Sequence, residues 1–184
     1  KEDVRLVFQL PALASFQNPV STSAPVPKII TLSQISPDGT NNLTLKVISN
    51  INLRNVYTFT TSEQEKKENQ LIYEVSLPFS EKMSIPFNTW SPDNKYVFVQ
   101  HETAGGSAVL VIKKDRQPFS KDELYLDVTK IFNEKYNEYT FQKATGWASE
   151  TLIIVNTLNQ DESKGPSFWF EVPSKQFYQL YTEF

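Results

Sequence analysis

The one histidine of the chain, His101, stands at the end of the apolar run Tyr96 to Val99, with Glu102 beside it and Ser107 across a Gly-Gly turn. A hydroxyl, an imidazole and a carboxylate are the parts of a nucleophilic site. No Gly-x-Ser-x-Gly elbow presents the serine, so the spacing points to a histidine that packs or faces water at a strand end. Zinc needs three or four ligands, and one His without Cys leaves carboxylates alone. Asp127, Glu134, Glu138, Asp161, Glu162 and Glu171 offer many pairings, and none is singled out as the converging pair of a glycosidase. Asn159-Gln160-Asp161-Glu162-Ser163 comes nearest to a calcium loop, but it lacks the alternating ligands and the glycine and reads as a hydrophilic hairpin tip. Five glycines in all leave no phosphate loop or dinucleotide fingerprint. The residues therefore predict no catalytic centre, no metal and no cofactor: a protein that is not an enzyme.

Charge and composition narrow the partners. The net charge is −3, and the basic spots Lys66-Lys67, Lys113-Lys114 and Arg116 are offset by Glu63, Glu65, Glu68 and Asp115, so no nucleic acid is expected. No apolar run reaches the roughly 18 residues of a membrane-spanning helix, and no direct membrane insertion is expected of this chain. With no cysteine there is no disulfide framework, although 184 residues can build a core without one. The chain opens on Lys1-Glu2-Asp3 without an initiator Met or a signal peptide, which reads as a trimmed mature protein or a cut piece and suggests an extracytoplasmic place, periplasmic or cell-surface.

The elements that must position these residues are strands. A hydrophobic fraction of 39% with 13% aromatic residues argues against disorder, and eleven prolines among many Asn, Ser and Thr supply turns. Val4–Leu10 reads as a separate strand, followed to residue 27 by a Pro-rich connector. From Lys28 the strand-like runs come in fours. Ile29–Ile35, Leu43–Ile48, Val56–Thr60 and Leu71–Val75 form the first set. Met83–Trp90, Tyr96–His101, Ala108–Lys113 and Glu123–Val128 form the second. Tyr139–Thr145, Leu152–Asn156, Ser167–Val172 and Gln176–Tyr181 form the third. Ser120-Lys121-Asp122-Glu123 matches a capping box, so a helix near 120–134 competes; a strand to about Leu126 followed by one or two helical turns is the preferred reading.

One turn recurs. Ser36-Pro37-Asp38-Gly39 and Ser91-Pro92-Asp93-Asn94 each follow a column residue, Ile35 or Trp90, and Trp147 with Ala148 and Glu150 repeats the column without the proline. Trp90 lies 55 residues after Ile35, and Trp147 lies 57 after Trp90, a nearly constant period. A four-stranded unit of this length is the size of a propeller blade. Trp90-Ser91-Pro92-Asp93-Asn94-Lys95-Tyr96-Val97-Phe98-Val99 resembles the blade motif of TolB-like and WD-type β-propeller repeats, with Asn94 where that motif has Gly. The resemblance implies an all-β, propeller-like array of about three four-stranded antiparallel blades, over units of about 28–80, 81–138 and 139–184. It implies that Trp90 and Trp147 pack between blades and that Asp38 and Asp93 hold the turns. Propellers have four to eight blades, so three units imply missing blades, a second chain, or an open array.

The C-terminal hairpin gathers aromatic residues. Alternation buries Phe168 and Phe170 on one face and leaves Trp169 on the other. If no further blade covers that face, Trp169, Phe177, Tyr178 and Tyr181 are the candidate binding residues, since exposed aromatic patches mark interaction sites; the alternative is that both faces are buried, between blades or by the Val4–Leu10 strand. Two function classes follow. The first is a non-catalytic binding or scaffolding domain that engages a protein partner or self-associates. The second, implied by the resemblance, is the accessory propeller of a larger hydrolase of the prolyl-oligopeptidase type.

Overall fold

The computed structural model describes residues 26–50, 53–66 and 68–181. The expected strand at Val4–Leu10 and the connector up to residue 25 lie outside the described residues. The rest is all-β, with one short helix, and falls into three four-stranded antiparallel sheets in which each strand pairs with its sequence neighbour. Blade 1 is β1 (Lys28–Ile35), β2 (Asn41–Asn50), β3 (Arg54–Glu63) and β4 (Asn69–Pro78). Blade 2 is β5 (Lys82–Ser84), β6 (Tyr96–Thr103), β7 (Gly106–Lys113) and β8 (Tyr125–Asp127). The helix α1 (Val128–Lys135) leads to blade 3: β9 (Tyr139–Trp147), β10 (Leu152–Asn159), β11 (Phe168–Glu171) and β12 (Gln176–Gln179).

Two apolar layers separate the blades, because alternate residues of a strand face opposite ways. Leu43, Leu45, Tyr57 and Phe59 of blade 1 meet Trp90, Val97, Val99, Leu110 and Ile112 of blade 2. The other face of blade 2, with Phe98, Val109 and Val111, meets Ile153, Val155, Phe168 and Phe170 of blade 3. Blade 2 is therefore apolar on both faces, whereas among the described residues blades 1 and 3 each have one face covered.

Two strand spans are corrected, and the preferred reading of a strand to about Leu126 followed by one or two helical turns holds against the competing helix from Ser120. The run Met83–Trp90 is not one strand: β5 stops at Ser84, because Pro86 has no N–H to give a ladder, and Trp90 returns only as a bridge to Val97. Glu123–Val128 shrinks to the three residues of β8. The Ser120–Glu123 pair closes a turn, with the Ser120 hydroxyl donating to Glu123 at 3.1 Å, and it caps no helix. The cap of α1 is Asp127, whose carboxylate accepts from the Lys130 amide at 2.9 Å. This helix drives Phe132 between blades 2 and 3, edge-on to Phe141, Phe168 and Phe177 at 5.2–5.8 Å.

Candidate functional site

The repeated turn is one structure made twice. Ser36 Oγ donates to Asp38 at 2.6 Å and accepts from the Asn41 amide at 2.9 Å, while Asp38 accepts from the Thr40 amide at 3.0 Å. In blade 2, Ser91 Oγ donates to Asp93 at 2.8 Å and accepts from the Tyr96 amide at 3.0 Å, and Asp93 accepts from the Lys95 amide at 3.2 Å. Gly39 and Asn94 both take positive φ, 78° and 57°, the conformation that Gly and Asn tolerate best. The third turn is one residue shorter. Its closing bond runs from the Ala148 amide to Leu152 O, a span of four where Ser36–Asn41 and Ser91–Tyr96 span five.

The column residues staple the blades together. Trp90 donates its indole N–H to Gln34 O at 3.2 Å, and Trp147 donates to Thr89 O at 3.0 Å. Each acceptor is the residue just before the column head of the preceding blade. Trp147 also stacks on Tyr96, with ring centroids 6.0 Å apart. The Asn94 amide crosses from blade 2 to blade 1 and donates to Asp38 at 2.7 Å.

Around these heads lies an open cavity of about 850 Å³ that touches all three blades. Ile35 and Asp38 of blade 1, Phe87 and Trp90 of blade 2, and Trp147 and Ile154 of blade 3 are among its walls. Phe87 is 86% exposed and Ile35 is 56% exposed, so the groove presents apolar surface to solvent. Gln34 and Asn88 add amide groups to the lining, and Asn88 donates to Thr145 O at 3.3 Å. A smaller cavity of about 430 Å³ at the rim of blades 1 and 2 is polar. Its side chains bind one another: Lys66 pairs with Glu63 at 2.8 Å within blade 1, and Lys114 Nζ donates to Asn41 Oδ1 at 3.0 Å, a cross-link from blade 2 to blade 1.

The carboxylates of the turns carry shifted pKa values. The Ser36 hydroxyl, and after it the Thr40 amide, holds the Asp38 carboxyl well below the usual carboxylate range. Burial, the largest single influence on Asp93, pushes its pKa up; the hydrogen bonds from Lys95 Nζ, the Ser91 hydroxyl and the Lys95 amide together outweigh it, and the net shift is downward.

The aromatic candidates separate. Trp169 and Tyr178 lie side by side on the uncovered face of blade 3, in one row with Ile154 and Gly146. Tyr178 is 49% exposed, Trp169 is half-buried, and Tyr181 is fully exposed beyond β12. Phe177 is not a surface residue. It shares a face with Phe170 and is buried against it at 4.7 Å, because the period-two pleat turns it toward blade 2. The sequence reading missed Phe87 and Ile35. Phe87 follows a proline and has no strand periodicity, so nothing in its spacing marked it.

The hydrolase-like trio does not assemble. His101 Nε2 lies 2.7 Å from Glu81, and Ser107 accepts from Gln100 at 3.1 Å. Ser107 stands opposite Glu102 and His101 stands opposite Ala108, so serine and histidine occupy opposite faces of the β6–β7 hairpin. Among the described residues no group of three or more His, Cys, Asp or Glu is placed to hold a metal ion. Among the described residues no helix is long and apolar enough to cross a membrane.

No family model matches the chain, and no curated protein matches it. Among solved structures it is similar to the AtxE2 isopeptidase in its apo form, at 9% identity and a TM-score of 0.52. The likeness covers 81% of this chain and 28% of that one, and at this identity it shows the fold alone.

Proposed function

We propose that the protein is a non-catalytic binding or scaffolding domain of the propeller type, TolB-like in its repeats, which holds an extended segment of a protein partner in the groove at the blade heads. The observation that carries this reading is the groove itself: about 850 Å³, touching three blades, with exposed Phe87 and Ile35 beside amide groups. Apolar walls supply burial, and a few amides fix the register of a peptide backbone. An extracytoplasmic partner fits the absence of cysteine no worse than an internal one.

Selection from a displayed peptide library, followed by titration of the winning peptides, tests the reading. Peptides are expected to bind with micromolar affinity and to lose most of it in Phe87→Ala, whose side chain supports no core. If no peptide is enriched, or if the enriched peptides bind Phe87→Ala equally well, the groove is not the site.

The second reading is an accessory propeller section of a larger hydrolase. The likeness to an isopeptidase over 28% of that chain favours it. It places catalysis outside these residues and leaves the groove as a path for the substrate chain.

A further inference from the structure

The groove at the blade heads has a charge as well as a shape. Among the described residues that line it, Asp38 alone is charged, and no Lys, Arg or His stands there. Lys95, the cation of the blade 2 turn, lies outside the lining and pairs with Asp93 at 3.0 Å. Asp38 accepts from the Ser36 hydroxyl, the Thr40 amide and hydroxyl, and the Asn94 amide. These four donors fill the acceptor positions of the carboxylate, but all are neutral and leave its charge uncancelled. The same bonds, the Ser36 hydroxyl first, hold its carboxyl well below the usual carboxylate range, so the charge persists into acid. Phe87 shares the lining and is almost wholly exposed, which leaves its ring open to a ligand. Asp38 lies in the turn beyond β1 and Phe87 on the middle blade, so neither depends on what covers the outer faces of blades 1 and 3.

We infer that the protein segment held in the groove is cationic, with an arginine side chain lying along the ring of Phe87 and its guanidinium toward the Asp38 carboxylate. The assignment rests on the groove as the binding site and names the chemistry of what lies in it. Asp38 is exposed, and any segment that fills the groove takes water from it. Under an apolar or acidic segment that carboxylate would lose hydration with nothing in return, which is costly. A cation offsets the loss. The aromatic wall selects the same group, because a ring face attracts a cation and a guanidinium stacks on it better than an ammonium does. Since the acceptor positions of Asp38 are already filled, the attraction acts through space and not through a bidentate pair. It is therefore screened by salt.

The probe is an unbiased displayed peptide library sorted on the whole chain, with the winning peptides resynthesised in pairs that carry arginine or its neutral isostere citrulline. Winners are expected to be rich in arginine, and the citrulline partner of each pair to bind about tenfold more weakly. Raising the salt from about 0.05 to about 0.5 M should weaken the arginine peptide roughly threefold and leave the citrulline peptide unchanged. In Asp38→Asn the gap between the two peptides should shrink to about threefold or less, and a gap measured within one variant is blind to any general loosening of the turn. Circular dichroism checks that this variant folds; if it does not, the citrulline and salt comparisons on the unaltered chain still decide. Neutral or acidic winners overturn the inference. So do pairs that bind equally, or a gap as wide in Asp38→Asn as in the unaltered chain. Winners that lack arginine yet fail on Phe87→Ala leave the groove as the site and sink only its charge preference, whereas a library that enriches nothing sinks both.

Discussion

The Asn94 side-chain amide donates to the Asp38 carboxylate across 2.7 Å, joining the turn of one blade to the same turn of the blade before it. Asn94 stands where the turn of blade 1 has Gly39, and its φ of 57° is one that Asn tolerates. The exchange keeps the turn and adds a bond between blades. Asn94→Gly is expected to cost about 1 kcal/mol, the net worth of a hydrogen bond. Asn94→Ala is expected to cost about 1–2 kcal/mol more, since alanine gains nothing to offset a left-handed backbone. Urea unfolding of the two variants checks the order; equal costs would mean that backbone strain is not at issue there.

The tryptophan staples have separable parts. Trp90→Phe keeps most of the ring and removes the bond to Gln34 O, for an expected cost of about 1–2 kcal/mol. Trp90→Ala also opens a cavity in the layer between blades 1 and 2, and about 3–5 kcal/mol is expected. Denaturant midpoints separate the two. A Phe variant as unstable as the Ala variant would assign the whole effect to the N–H.

Stability should fall in acid, with a known sign. The folded pKa of Asp38 lies below its ordinary value, and that of Asp93 is lowered too. A carboxyl of this kind stabilises the fold above the unfolded value of about 4, and that contribution is lost as pH falls through the lowered folded value. Urea midpoints are expected to hold level from neutral pH to about 5 and to drop below about 4. Asp38→Asn should flatten the drop. An unchanged acid limb in that variant would remove Asp38 from the account.

Gly165 is fixed by space. A Cβ there would lie 2.6 Å from Thr157 Oγ1 and 3.1 Å from the backbone of Leu158. The same hydroxyl donates to Pro166 O at 2.6 Å. Gly165→Ala is expected to cost about 1–3 kcal/mol, the range for overpacking. Thermal melts would detect it, and a melting point equal to wild type would show that the loop gives way freely.

No turnover is expected on fluorogenic esters, amides or glycosides, since Ser107 and His101 face apart. Hydrolysis that survives purification and disappears in His101→Gln would overturn the non-catalytic reading.

Local chemistry made much of the fold legible. Alternation announced the strands of blades 1 and 3, and Ser-Pro-Asp with Gly39 or Asn94 announced turns that the structure closes with the same bonds. These features depend on residues a few positions apart, so sequence carries them directly. The broken run at Pro86 was legible in principle, because a missing N–H is a property of the residue itself.

Contacts between blades were decided only by the tertiary structure. That Trp90 reaches Gln34 O, that Asn94 reaches Asp38, and that Phe87 and Ile35 share a groove depend on how separately folded sheets are set against one another. Phe177 shows the reason most plainly. Its aromatic type marks it equally for a core or a surface, and only the register of β12 on β11 turns it inward beside Phe170 while its neighbour Tyr178 faces out. A strand's pattern of residues states that its two faces differ. Which of them meets another layer is settled by packing over distances that no local pattern encodes.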